Sequence, residues 1–233
     1  YLIRREDLPT TVSVLMLSGE GETTLNVMRH GSNESMAPGI VTDEMIEWAD
    51  HIHMVSVMNL HAFDGDGAAE VFRKAHEMGK TTSIDLKKRI APLDDRMSLV
   101  KGPLANCDVF LPSHYEVEYL CGLTDPKEAA EFFRPYGLKV FGCKLGANGV
   151  YLTDYKQEIW QPSLYRGVPV DVIGAGDAFS STFACAWKRG FSLKECGAIA
   201  SAASACVVGT FGSTAGMRDF DSLIAFAKER GAL

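Results

Sequence analysis

The chain has 233 residues, of which 46% are hydrophobic and 23% charged, enough apolar content for one sizeable core in a single folded domain. This composition excludes intrinsic disorder and a collagen-like repeat, and six cysteines in such a length are too sparse for a disulfide-built miniature. A formal charge of −7 provides no basic field for a nucleic-acid backbone or an anionic membrane surface, so small-molecule chemistry is the default expectation.

Residues 12–17 and 23–28 alternate as strands do, around the turn Ser18-Gly19-Glu20-Gly21-Glu22, and predict a β-hairpin. The pattern then changes to apolar strands separated by amphipathic helices: helix 42–49, strand 52–58, helix 66–78, strand 81–85, helix 94–105 and strand 109–111. Helices 113–121 and 125–136 follow, the second with Pro126 where an N1 proline belongs. Strand 139–144 and an antiparallel neighbour at 149–153 flank the turn Leu145-Gly146-Ala147-Asn148. After Asp171 the pattern is nearly all helical. Alternating β and α predicts an α/β fold, a mostly parallel sheet with helices on both faces. No Pro/Ser-rich linker, charge block or repeat divides residues 1–233, so one domain is expected.

The cysteines at 107, 121, 143, 185, 196 and 206 never form C-x-x-C and lie mostly in apolar segments. They read as reduced core residues of a cytoplasmic protein. The opening Tyr1-Leu2-Ile3-Arg4-Arg5-Glu6-Asp7 has no apolar h-region. The uncharged stretch 196–217, rich in Ala, Ser and Gly, reads as a buried small-residue helix followed by a loop, not a membrane span.

The densest chemical signal is Asp171-Val172-Ile173-Gly174-Ala175-Gly176-Asp177-Ala178-Phe179. It follows the β-type run Gly167-Val168-Pro169-Val170 and opens an uncharged helix reaching Trp187. Strand, glycine turn and helix make an anion-binding geometry: the glycines allow close backbone approach, and the first helical N–H groups and the helix dipole favour negative charge. Asp177 would repel an anion bound there unless it performs chemistry or holds a cation. Two readings stand at this point: a base aimed at a hydroxyl that attacks a phosphate, or a residue that favours the helix N-terminus.

This segment closely resembles the D-T-x-G-A-G-D-x-F signature of the ribokinase-like (PfkB) carbohydrate kinases, matching at Asp171, Gly174, Ala175, Gly176, Asp177 and Phe179, with Val172 in place of Thr. Leu111-Pro112-Ser113-His114-Tyr115-Glu116-Val117-Glu118-Tyr119-Leu120-Cys121-Gly122 is similar to the family's L-P-N-x-x-E-x-E-x-L-x-G segment, with Ser113 for Asn. By itself Ser113-x-x-Glu116 is also a capping box. Residues 140–151 resemble the nucleotide-side strand and turn V-T-L-G-x-x-G, and 200–205 resemble the helix lining the adenine pocket. Ile84-Asp85-Leu86-Lys87-Lys88-Arg89 matches the F-D-x-N-x-R strand end at Asp85 and Arg89, and Arg29-His30-Gly31-Ser32-Asn33 resembles an R-G-A-N stretch.

The resemblance implies a three-layer α/β/α ribokinase-like fold, a doubly wound and mostly parallel sheet with the 12–28 hairpin as a lid remnant. It implies an ATP-dependent kinase that transfers the γ-phosphate to a hydroxyl of a small sugar or sugar derivative. Asp177 would be the catalytic base, and Gly174, Ala175 and Gly176 the anion hole. Lys144, Gly146, Ser201 and Gly212 would face the nucleotide, and Arg29, Asn33 and Arg89 the substrate. Glu116 would act indirectly on Mg2+, and Asp171 with the Gly212-Ser213 loop would support a monovalent cation such as K+. Lid pairing in relatives implies a homodimer. Members usually run to about three hundred residues, so the chain is expected to be part of a longer kinase. A nucleoside kinase of the same family and a non-catalytic nucleotide-binding module are the alternatives. His51-x-His53 with His61 reads as scattered histidines, since no carboxylate or cysteine ligand set accompanies them.

Overall fold

The computed structural model describes residues 2–17, 23–87 and 95–233. These group into two compact units, one comprising Tyr1–Val14 and Val27–Lys139, the other Leu15–Asn26 and Val140–Leu233. Strands β1 (Val12–Leu17) and β2 (Thr23–Arg29) form a two-stranded sheet of their own, as the alternating pattern predicts.

In the first unit β3 (His51–Val57), β4 (Thr81–Leu86) and β5 (Val109–Phe110) run parallel, with His51 opposite Thr81 and Ser83 opposite Val109. The helices are α1 (Asp43–Trp48), α2 (Asp66–Glu77), α3 (Lys101–Leu104), α4 (His114–Cys121) and α5 (Pro126–Phe133). Their apolar faces bury Ile46, Phe72, Leu104 and Phe133, and Phe133 meets Phe110 edge to face at 5.0 Å. Buried Asp108 precedes β5. Its Oδ2 accepts from the Thr82 backbone N–H at 2.9 Å and its Oδ1 pairs with Lys139 at 2.8 Å, so one carboxylate ties β4 to the chain leading out of the unit.

The helix expected over 94–105 is shorter. Asp94 lies outside the described residues, and the rest is a 3-10 turn at Met97–Leu99 followed by α3. Pro103 offers no N–H and Gly102 is a poor helix former, kept because a Cβ there would lie 3.0 Å from the Ala69 Cβ of α2. The helix expected over 125–136 is α5 plus a 3-10 turn at Arg134–Tyr136.

In the second unit β6 (Val140–Lys144), β7 (Val150–Thr153) and β8 (Glu158–Gln161) form an antiparallel meander. The β6 to β7 reversal falls at the expected turn, whereas β8 carries no sequence pattern long enough to announce it. Helices α6 (Ala175–Lys188), α7 (Leu193–Val208) and α8 (Phe220–Glu229) complete the unit. Along α7 almost every residue from Cys196 to Val207 is buried. A Cβ on its Gly197 would come within 2.6 Å of Leu152 Cδ1, so the small residues let the helix lie close on β7. Among the described residues no helix is long and apolar enough to cross a membrane.

Residues 167–170 are not a strand, contrary to the sequence expectation. Gly167 takes φ 122, and Val170 donates instead to Val208 O at 3.0 Å, at the end of α7. Pro169 has no N–H with which to join a ladder. The cysteines are all free. Cys107, Cys143, Cys196 and Cys206 are buried as expected, but Cys185 is exposed, because it falls on the outward face of α6.

Candidate active site

The glycine elbow of the second unit is built around Gly174, which caps α6 at φ 82, a backbone region costly for any residue with a Cβ. The cap makes no side-chain hydrogen bond. Ala175 N–H reaches back to Val172 O at 3.3 Å, while helical geometry leaves the amides of Gly176 and Asp177 without an intrahelical acceptor.

Asp171 fixes the elbow from one side. It is buried, its Oδ1 accepting from Ile173 N–H at 2.9 Å and its Oδ2 from Gly212 N–H at 3.0 Å. Asp171 thus bonds directly to the loop that begins at Gly212. From the other side Ser204 of α7 donates to Ala175 O at 2.7 Å. Predicted Ser201 lies buried one turn earlier on the same helix, and it is Ser204 that touches the elbow. Every neighbour in this part of α7 is small, so sequence spacing alone does not tell the two serines apart.

Lys144, at the carboxyl end of β6, brings its ammonium to the elbow. Its Nζ is 3.3 Å from Ser180 Oγ and would lie 3.3 Å from a Cβ placed on Gly176. An ammonium, two open amides and a helix N-terminus thus converge on one side of Gly176, a site suited to anionic oxygen. Gly146 opens the exposed 3-10 turn Gly146–Asn148 at φ 59.

Asp177, the third residue of α6, is exposed. Among the described residues no hydrogen bond to its carboxylate is made, so the helix-capping reading has no bond behind it. Its backbone carbonyl accepts from Ser181 Oγ at 2.7 Å. The carboxylate is exposed at the start of α6, one residue from Gly176.

In the first unit Ser113 and Glu116 form the capping box of α4. Ser113 N–H donates to Glu116 Oε2 at 2.7 Å, and Glu116 N–H donates to Ser113 Oγ at 3.4 Å. Arg29, ending β2, and Asn33, in the 3-10 turn Ser32–Ser35, are both exposed. Arg89 lies outside the described residues. Lys87, standing in the Asn position of the strand-end pattern, is exposed, and its N–H donates to Val57 O at 3.0 Å. His51 and His53 are engaged by hydroxyls, each with a ring nitrogen 2.7 Å from Ser83 Oγ.

Among the described residues no group of three or more His, Cys, Asp or Glu could hold a metal ion unaided. A Mg2+ ion serving this site would draw most of its ligands from phosphate and water, the usual habit of that ion. Glu116 Oε2 is held by the Ser113 N–H of the α4 cap. ATP phosphates fit the donors around Gly176.

The parallel strands and helices of the first unit, and in the second a glycine elbow that opens a helix beside an exposed acid, define an α/β protein. The sequence matches the profile of the pfkB family carbohydrate kinases over residues 1–219. The chain belongs to that family. An ATP-dependent ribose-1-phosphate kinase of Halopiger xanaduensis is 27% identical over 95% of this chain and 69% of its own length. A 2-dehydro-3-deoxygluconokinase of Thermoproteus tenax is 29% identical over 82% of this chain and 59% of its own. The structure of Arabidopsis thaliana ribokinase complexed with ribose and ATP superposes with a TM-score of 0.78 at 24% identity, covering 95% of this chain and 70% of that one. The fold is ribokinase-like: a mainly parallel α/β architecture flanked by helices, with a small hairpin.

Proposed function

We propose that the protein is an ATP-dependent kinase that phosphorylates a hydroxyl of a small sugar or sugar derivative, its two compact units being parts of one kinase domain. The observation that carries this reading is the Asp177 carboxylate. It stands exposed and, among the described residues, without a hydrogen bond, one residue from a glycine whose amide and neighbouring ammonium suit a phosphoryl group.

In this reading Asp177 takes the proton of the acceptor hydroxyl. The oxygen so activated forms a bond to the γ-phosphorus while the bond from that phosphorus to the bridging oxygen breaks, and ADP leaves. Of the anion hole assigned to Gly174, Ala175 and Gly176, the Gly176 amide receives the developing negative charge, with the open Asp177 N–H beside it, since Ala175 N–H is turned to Val172 O. Lys144 holds phosphate oxygen. Gly146, Gly212 and Ser201 serve the nucleotide side, with Ser204 supporting the elbow from α7. Mg2+, when bound, neutralises charge on the transferring group, and Glu116 is assigned to its hydration shell. Asp171 stabilises the elbow mechanically, and K+ is the monovalent cation assigned to its neighbourhood. Arg29, Asn33 and Arg89 are assigned to the acceptor. The free cysteines suit a reducing cytoplasm, and the exposed Val12, Val14, Met16, Leu25 and Val27 of the hairpin suit a homodimer.

The test is ATP-dependent phosphorylation across hexoses, pentoses, sugar acids, sugar phosphates and nucleosides. Turnover with a carbohydrate acceptor supports the reading, turnover with nucleosides alone moves the assignment to a nucleoside kinase, and tight ATP binding with no turnover on any of them overturns it.

A further inference from the structure

We infer that Glu34 is a positioning residue, a clasp that fixes the segment carrying Arg29 and Asn33 against the loop following β3; its kinetic consequence rests on the acceptor-side reading of those two residues. The chain leaving β2 turns through Ser32–Ser35, and one side of that turn is seated on residues 9–11, which lead into β1. Ser32 N–H donates to Pro9 O at 2.8 Å and Asn33 N–H to Thr11 Oγ1 at 3.3 Å. A Cβ on Gly31 would strike Pro9 O and lie 2.9 Å from Thr11 N, so only glycine permits this seat. These bonds join the two legs of the hairpin to each other, and none of them ties the hairpin base to the α/β layer.

Glu34 supplies that tie. Its Oε1 is 2.9 Å from Nδ1 of His30 and its Oε2 is 3.1 Å from Nδ1 of His61, the two rings lying 6.0 Å apart. His61 sits on an anchored loop. Asp64 accepts from Met58 N–H and Leu60 N–H, both at 2.9 Å, and Asn59 Nδ2 donates to Lys87 O at 2.7 Å, beside the end of β4. The backbone there is held at positive φ on Ser56 (59) and Met58 (84), a conformation that persists only where surrounding bonds enforce it. The loop therefore gives a fixed post at the carboxyl ends of β3 and β4, the edge of a parallel sheet where ligands are met. One carboxylate spanning two imidazoles sets the position of the exposed residues on either side of it. Half-exposed pairs of this kind add little to global stability, so the effect of losing Glu34 is local.

The experiment compares wild type, Glu34→Ala and Glu34→Gln by hydrogen exchange and by steady-state kinetics. Gln keeps an oxygen for one imidazole N–H and an N–H for the other ring's bare nitrogen, so it can preserve both contacts. In Glu34→Ala, amides of residues 30–36 exchange several-fold faster while residues 140–233 are unaltered. The acceptor KM rises on the order of tenfold while kcat and the ATP KM hold within about twofold, and Gln restores both readouts. Unchanged exchange at 30–36, or acceptor and ATP KM rising together, overturns the clasp. A wild type that phosphorylates no acceptor removes the kinase reading alone; faster exchange at 30–36 in the Ala variant then still upholds the clasp, and its absence still overturns it.

Discussion

Gly174 and Ser213 are packed backbone to backbone: a Cβ on Gly174 would sit 2.7 Å from the Ser213 α-carbon and strike its carbonyl. With φ at 82 the position also disfavours every residue with a side chain by about 1–2 kcal/mol. Gly174→Ala is expected to fold with a Tm lowered by roughly 2–8 °C and to lose most phosphotransfer, because the 212–213 loop is pushed off the elbow. Differential scanning fluorimetry with a coupled ADP assay checks both, and wild-type values in each would show that the elbow has slack.

Asp177→Asn keeps the volume and removes the proton acceptor. The expected result is a kcat lower by about 10²- to 10⁴-fold, with ATP affinity by titration calorimetry essentially intact. Near-full turnover with the true acceptor would disprove the role of base.

Lys144→Met removes the ammonium beside Gly176 while retaining a stem of similar length. Loss of a charge-assisted contact to phosphate is expected to raise the ATP KM by about tenfold or more. An unaltered ATP KM would remove Lys144 from the phosphate site.

Thiol reactivity separates the cysteines. Burial pushes the Cys107 thiol far up, with the adjacent Asp108 charge adding to it. Burial, and then the Glu195 charge, push Cys196 up to about 12. Burial also raises Cys121 and Cys206. The thiolate is the reactive form, so native protein at pH 8 is expected to react fast with an aromatic disulfide at exposed Cys185 alone. Cys185→Ser should abolish the fast phase, and a fast phase that survives would show that half-buried Cys121 or one of the four buried cysteines is open to reagent.

Acid should destabilise the fold through its helix starts. The Ser192 hydroxyl and then its backbone N–H hold the Glu195 carboxyl below the usual range, and the Ser222 hydroxyl and then its backbone N–H do so for Asp219. A carboxyl lowered in the folded state binds its proton more readily when unfolded. Its contribution is complete above the ordinary carboxylate range and is lost as pH falls through the lowered value. Urea midpoints are expected to be flat near neutrality and to fall below about pH 4, more gently in a Glu195→Gln, Asp219→Asn double variant. Identical slopes would rule out these two groups.

Most of the first unit was legible because its signals are local. Ser113 with Glu116, and Asp125 ahead of Pro126, mark helix starts within four residues, and the runs forming β3 and β4 are short and rich in β-branched residues, set between polar helices. The glycine elbow was legible as a motif, and its cap at Gly174 falls where the motif places it. What could not be read is partnership across distance. Asp171 is visible as an acid in a signature, but its bond to Gly212 spans 41 positions. Ser201 and Ser204 look alike in a helix of small residues, and only the packing of α7 on α6 distinguishes them. His30 and Glu34 have the spacing of a pair, yet nothing in the chain points Glu34 towards His61. The strand expected at 167–170 failed for a related reason: Val170 finds its acceptor at the end of α7, not in a ladder.

The shared carboxylate of Asp171 makes two distant stretches of chain answer to one side chain. A substitution there frees an amide in each stretch at once, so damage at Gly212 would trace back to a lesion at Asp171. Variation in the 209–217 loop is correspondingly policed from upstream, and the two stretches are expected to accept changes only in concert.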